Sequence, residues 1–74
     1  MTYYLTQKLR RNIGKNIQRF RARLKLKQVE VAVDAGINPS YYGKIERGIV
    51  NPSIEKIYRI SKALKVKASE LLNF

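Results

Sequence analysis

From Leu9 onward the apolar residues fall at Leu9, Ile13, Ile17, Phe20 and Leu24, spaced four, four, three and four apart. This is one stripe of an amphipathic helix, with charged residues filling the remaining positions, and it predicts a helix from about Thr6 to Leu24. Gly14 interrupts the pattern at a cost of about 1 kcal/mol relative to alanine, which close packing against another helix would offset. Shorter, sharply punctuated segments follow. Gln28 to Ala35 reads as a second helix, with Val31, Ala32 and Ala35 inward, Glu30 and Asp34 a turn apart on the other side, and Gly36 as its stop. The alternation of Val29, Val31 and Val33 would also suit a strand, but the sequence offers no other strand for it to pair with, and a lone strand leaves its backbone unsatisfied. Asn38-Pro39 is a helix start: asparagine caps free N–H groups, and proline at the first helical position lacks the N–H that would be orphaned there. A third helix then runs to Arg47 and stops at Gly48. Asn51-Pro52-Ser53 opens a fourth, with Ile54, Ile57, Ile60, Ser61 and Leu64 as its inner face. After Lys65-Val66-Lys67, Ala68 or Ser69 starts a last turn or two carrying Leu71, Leu72 and Phe74. The expected architecture is all-α, a compact five-helix bundle. The 74 residues leave room for one domain, 1–74, in which residues 1–8 are either an N-terminal arm or an extension of the first helix.

Composition narrows the chemistry. There is neither cysteine nor histidine, so disulfide frameworks, zinc-finger ligand sets, thiol nucleophiles and histidine acid–base catalysis are excluded, and most enzymatic readings with them. No cofactor or metal is called for. The nearest carboxylate pair, Glu30 and Asp34, reads as a feature of a helix surface. No apolar run approaches the roughly 18 residues of a transmembrane helix, and Met1-Thr2-Tyr3-Tyr4-Leu5 lacks the pattern of a secretory signal, so the expectation is a soluble, intracellular protein without a membrane partner.

The charge is lopsided. Sixteen Lys and Arg face five Asp and Glu, a formal +11, and all five acids lie beyond residue 29. Uncompensated positive charge repels itself in the folded state, and a polyanion that sheds counterions on binding is the partner that best relieves the repulsion. Nucleic acid is the leading candidate; a solvated basic face and an anionic membrane surface are the alternatives.

A helical wheel sorts the third helix into two opposed sets. Ser40, Gly43, Lys44 and Arg47 point one way, and Tyr42, Ile45, Glu46 and Ile49 the other, with Tyr41 at the boundary. The first set is small, hydrogen-bonding and cationic, as a helix entering a major groove requires. The second holds a carboxylate among apolar neighbours, where a lone charge would cost several kcal/mol. Glu46 therefore needs a partner, and Arg21 on the first helix, able to fork onto both carboxylate oxygens, is the expected one.

From Ile13 to Leu72 the chain resembles the helix-turn-helix domains of phage repressors, Cro-like proteins and small bacterial regulators, the lambda-repressor-like group whose docking on DNA is a general pattern. The residues that carry the resemblance are Ile17 to Arg21, Gln28 with Ala32 and Gly36, the run Ser40 to Gly48, Asn51-Pro52-Ser53 and Ala63-Leu64. The resemblance implies a transcription regulator that binds double-stranded DNA. In similar domains the residue matching Gln28 binds a phosphate, those matching Ser40, Tyr41 and Lys44 face the major groove, those matching Arg47 and Asn51 grip the backbone, and the pair matching Arg21 and Glu46 forms an internal ion pair. With Asn38 and Gly43, these make the expected DNA-contacting set. Two departures stand out: Pro39 occupies a position that often reads bases, and Val29 one where glutamate is common, leaving an apolar residue exposed.

One recognition helix reads only a few base pairs, so specificity calls for a homodimer on a palindromic site. Leu71, Leu72 and Phe74 are the expected dimer surface, aided by the fourth helix. Regulation is then expected from operator occupancy, from concentration, or from contact with RNA polymerase or another protein. The narrower roles implied are restriction–modification controller protein and phage or plasmid repressor, cytoplasmic in each case. An antitoxin that holds a protein partner and a non-specific polyanion or membrane-surface binder are the alternatives.

Overall fold

Each of the longer helices with a polar cap begins where a side chain supplies an acceptor for its orphaned N–H groups. In the computed structural model, which describes residues 6–73, α1 is Gln7–Arg23, and the Thr6 hydroxyl accepts from the Leu9 N–H at 3.1 Å. Helix α2, Gln28–Ala35, starts with the Glu30 carboxylate accepting from the Lys27 N–H at 2.7 Å. Helix α3, Pro39–Glu46, is capped by Asn38, whose side-chain oxygen accepts from Ser40 N at 2.8 Å and Tyr41 N at 3.2 Å. Helix α4, Ile54–Ala63, starts with Ser53 accepting from Lys56 N at 3.2 Å, and α5, Ala68–Leu71, is a single turn. Among the described residues there are five helices and no strand, so the alternating valines of α2 are helical. Residues 1–5 of the expected arm or extension, and Phe74, lie outside the described residues; Gln7 and Lys8 belong to α1.

The core is a single cluster in which every helix takes part. Helix α1 contributes Ile13, Ile17 and Phe20, α2 Val31, Ala32 and Ala35, α3 Tyr42 and Ile45, α4 Ile57 and Ile60, and α5 Leu71; Leu64 and the turn residue Ile37 complete it. Burial of side chains this size is worth about 1.5–3 kcal/mol each before entropy is charged against it. Helices α2 and α3 pack on each other across the Gly36-Ile37-Asn38 turn, α1 lies against α3, α4 against α2, and α5 closes the bundle on α1 and α4. Asn16, buried one helical turn along from Ile13, donates its amide to Leu71 O at 3.0 Å and to Asn73 O at 3.1 Å, which pins the end of the chain to α1.

Three expectations fail here. Ile49 is 59% and Ile54 73% exposed, so neither belongs to an inner face. Gly48 adopts a left-handed φ of 73° that ends α3, so the wheel that placed Ile49 inward no longer applies one residue later. Ile54 occupies the first position of α4, and because side chains tilt toward a helix's N-terminus it projects off the end. Leu71 errs the other way: it is fully buried in its own core and has no surface to offer a second copy. Leu72 remains half-buried at the edge.

Gly14 is where α1 and α3 touch backbone to backbone. A Cβ there would lie 2.8 Å from the Glu46 carbonyl carbon and 2.9 Å from the Ile45 oxygen, neither of which can rotate away. Helix propensity alone predicts that Gly14→Ala stabilises by about 1 kcal/mol. Packing predicts the reverse, a loss of about 1–3 kcal/mol as α1 is levered off α3, and the urea midpoint of the variant reports which effect wins.

Candidate nucleic-acid interface

Helix α3 is only eight residues long, too short to hold its shape unaided, and it is fixed by what its inner side grips. Tyr42 and Ile45 enter the core. Glu46, 2% exposed, places its carboxylate between helices: Arg21 Nε donates to Oε2 at 2.7 Å, Arg21 Nη2 to Oε1 at 3.1 Å, and Gln28 Nε2 to Oε1 at 2.8 Å. Arg21 Nη1 also donates to Leu26 O at 3.0 Å, and Gln18 Nε2 to the Glu46 backbone oxygen at 2.8 Å. The fork that the wheel argument assigned to Arg21 is therefore present, and it is larger than a pair: α1, α2 and α3 meet on one carboxylate. Hydrogen bonding to Glu46 raises the Arg21 pKa beyond its ordinary value against the opposing effect of burial, so the guanidinium stays charged at any working pH.

The Tyr42 hydroxyl lies beside this network, buried and without a hydrogen-bond partner among the described residues. Burial first, then the neighbouring Glu46 carboxylate, push it well above the ordinary phenol range.

With the inner side committed, Ser40, Lys44 and Arg47 are left exposed along the opposite side of α3. Gly43, expected among them, is buried instead: the space a Cβ would occupy lies 3.2 Å from Arg47 Nη1 and 3.8 Å from Gln28 Oε1, so those side chains roof it over. Tyr41 is half-buried, with the Lys56 ammonium 5.3 Å from its ring centroid, which ties its orientation to α4. Asn38 is exposed, but its side-chain oxygen is committed to the cap, leaving only its NH₂ for a ligand. Gln28 is exposed at the start of α2 with its NH₂ committed to Glu46, and Asn51 is exposed in the link to α4. Apart from Gly43, the structure thus brings the expected contact residues to the surface around α3. It also brings Arg11, Lys15 and Gln18 of α1 together with Glu46 and Arg47 around a groove of about 260 Å³. On α2, Val29 and Val33 are 49% and 66% exposed and line a shallow groove with Leu26, Glu30 and Asp34. No helix among the described residues is long and apolar enough to cross a membrane.

A sequence model of the helix-turn-helix family matches residues 17–71. Among curated proteins, the chain is 37% identical over 62 residues to the HTH-type transcriptional regulator SlrR of Bacillus subtilis, covering 82% of this chain but only 41% of SlrR. It is 32% identical over 71 residues to control protein C.BamHI of Bacillus amyloliquefaciens, covering 95% of this chain and 88% of that one. Among solved structures, the restriction–modification controller protein C.AhdI from Aeromonas hydrophila superposes with a TM-score of 0.82 at 31% identity, covering 84% of this chain and 94% of that one.

Two variants test the network. Arg21→Ala leaves a buried carboxylate with only uncharged donors and is expected to cost about 3–5 kcal/mol, comparable to the whole stability of a domain this small; circular dichroism should show a largely unfolded chain, and Arg21→Met with Glu46→Leu should restore the fold. Tyr42→Phe tests the hydroxyl. Because the folded state holds the phenolic proton more tightly than an unfolded tyrosine of pKa about 10, this contribution is fully present below that pH and is lost as pH rises above it. Urea midpoints at pH 8 and pH 11 should therefore fall further for the parent than for Tyr42→Phe.

Proposed function

This chain belongs to the helix-turn-helix family of transcriptional regulators, and we propose that within it the chain is a sequence-specific regulator that binds double-stranded DNA as a homodimer, with α3 in the major groove. The observation that carries the reading is the division of α3: Tyr42, Ile45 and Glu46 are locked inside while Ser40, Lys44 and Arg47 stand free on the opposite side. In this assignment Ser40 and Lys44 address base edges, with Tyr41 beside them. Arg47, Asn51 and the start of α2 at Gln28 hold the phosphate backbone, and the Asn38 amide is a further donor at the groove. Gly43 contributes by lacking a side chain beneath Arg47 rather than by contact. The ligand is an anion facing a chain of formal charge +11, so the backbone contacts should dominate affinity and the base contacts specificity.

A homodimer follows from the short reach of one recognition helix. Its surface in this proposal is no longer the buried Leu71. Ile49, Ile54 and Tyr58, each more than half exposed, supply apolar area on the α3–α4 link and the outer side of α4, with Leu72 at the margin. Two of the similar proteins matched over most of their own length are named a control protein and a restriction–modification controller protein, and others matched nearly as fully are named regulators or a transcription factor, which favours a regulatory role, in the cytoplasm, over the antitoxin or general polyanion-binding readings. Contact with RNA polymerase would draw on residues outside the set assigned to DNA.

Selecting DNA from a random pool with the purified chain should yield a palindrome whose half-sites are about 34–36 Å apart, bound by a species of twice the chain's mass and preferred over random duplex by about 10³-fold or more at fixed salt. Ser40→Ala and Lys44→Ala should each cost about 1–3 kcal/mol on the selected site and relax the preference, while Arg47→Ala should weaken all sequences alike. Identical behaviour of the three variants on selected and random DNA would overturn the assignment.

A further inference from the structure

The groove between α1 and the end of α3 is not explained by the fold. Arg11 and Lys15 from α1 and Arg47 from α3 converge on it, with Gln18 at its wall, and it has a volume of about 260 Å³. All three cationic residues are exposed, and none has an ion-pair partner among the described residues. The carboxylate that lines the groove cannot neutralise them, because Glu46 is already held by Arg21 and Gln28. Three like charges brought together without a counter-charge raise the energy of the free protein and leave a place that an anion would stabilise.

The backbone that carries these cations is held in place. Gly48 lies so close to α1 that a Cβ on it would sit 2.9 Å from the backbone nitrogen and Cα of Arg11. Arg10 Nε donates to the Gly48 oxygen at 3.4 Å, and Gln18 is tied to the Glu46 backbone oxygen at 2.8 Å. The first turns of α1 are thus docked on the end of α3, and the groove is part of the rigid frame.

Its position follows from helix geometry. Arg47 lies seven residues beyond Ser40, about 10 Å along the axis at about 1.5 Å per residue, and a major groove is about 12 Å wide. If the Ser40 end reaches base edges, the Arg47 end stands at the groove wall, where the phosphates are. We propose that Arg11, Lys15 and Arg47 form a seat for phosphodiester groups of the duplex, so that the first half of α1 is part of the DNA-binding surface. This rests on the DNA-binding reading above and extends it to residues outside the helix-turn-helix unit.

The test uses the full chain with Arg11→Gln and Lys15→Gln combined, and a control of equal charge loss, Lys65→Gln with Lys67→Gln, in the link between α4 and α5. Duplex binding is measured across salt concentrations, on the selected site and on a random duplex. Two lost phosphate contacts should reduce the slope of log K against log salt by about 1.8, so that between about 50 and 200 mM salt the groove variant loses roughly tenfold less affinity than the parent. The ratio of selected to random affinity should stay unchanged, as should the melting temperature. The control should keep the parental slope. An unchanged slope in the groove variant, or an equal drop in the control, would overturn the seat. Failure of the base-reading assignment would show separately, as a parent with no preferred duplex, and the slope comparison on random DNA would still decide the groove.

Discussion

The geometry of this molecule depends on one carboxylate. Glu46 is removed from water at the end of an eight-residue helix and receives Arg21 from α1 through two nitrogens and Gln28 from α2 through one. Burying an ion pair seldom adds net stability, because desolvation consumes most of the attraction. What it adds here is direction. Apolar contacts of Tyr42 and Ile45 would tolerate some rotation of α3 about its axis, whereas a fork at 2.7 and 3.1 Å from one side and an amide at 2.8 Å from another allow very little. The rotational setting of α3 decides which side chains it presents, so a polar contact inside the bundle fixes the chemistry outside it.

The same contact shapes the electrostatics. One of the five acids is spent internally, which deprives the surrounding surface of a counter-charge where Arg11, Lys15 and Arg47 meet. Gln18 and Gln28 join the network as neutral donors, securing Glu46 without further charge. The field around α3 is thereby left to its exposed cations, and the cost of holding them together is recovered only when a polyanion arrives. Structural pairing and functional unpairing are two results of the same placement of acids.

Most of the helix framework was legible because local chemistry writes it. The cap at Asn38 and the left-handed stops at Gly36 and Gly48 are decided within a few residues of themselves, the start at Asn51-Pro52-Ser53 holds with Ser53 rather than Asn51 as the cap, and the inner stripe of α1 repeats often enough to be unambiguous. The division of α3 into Tyr42, Ile45 and Glu46 against Ser40, Lys44 and Arg47 was legible for the same reason. What the sequence hid lies where periodicity ends. Ile49 follows a change of chain direction, Ile54 projects from a helix end, and Leu71 sits in a single turn with no period to read. Gly43 is covered by neighbours rather than by its own position. Asn16 falls on the inner stripe between Ile13 and Ile17, where an apolar period does not mark a polar residue that is buried for its hydrogen bonds. The groove on α1 needed the third dimension, since nothing in the spacing of Arg11 and Lys15 indicates that Arg47 will meet them.

A small core limits where large apolar residues can go. A bundle of short helices has few inward positions, and among the described residues thirteen apolar side chains occupy them. Some further apolar residues, such as Leu26 and Val50, pack against the edge of this core, and those left more than half exposed are available for contacts between molecules. Ile49, Ile54 and Tyr58 fall on the α3–α4 link and on α4, whereas the groove cations Arg11, Lys15 and Arg47 fall on α1 and at the end of α3. Two copies of a chain this positive repel each other, and an apolar patch apart from the DNA-facing cations lets them approach without bringing those cations together. Duplex DNA then removes the remaining repulsion, so in the proposed assembly DNA binding and pairing reinforce one another.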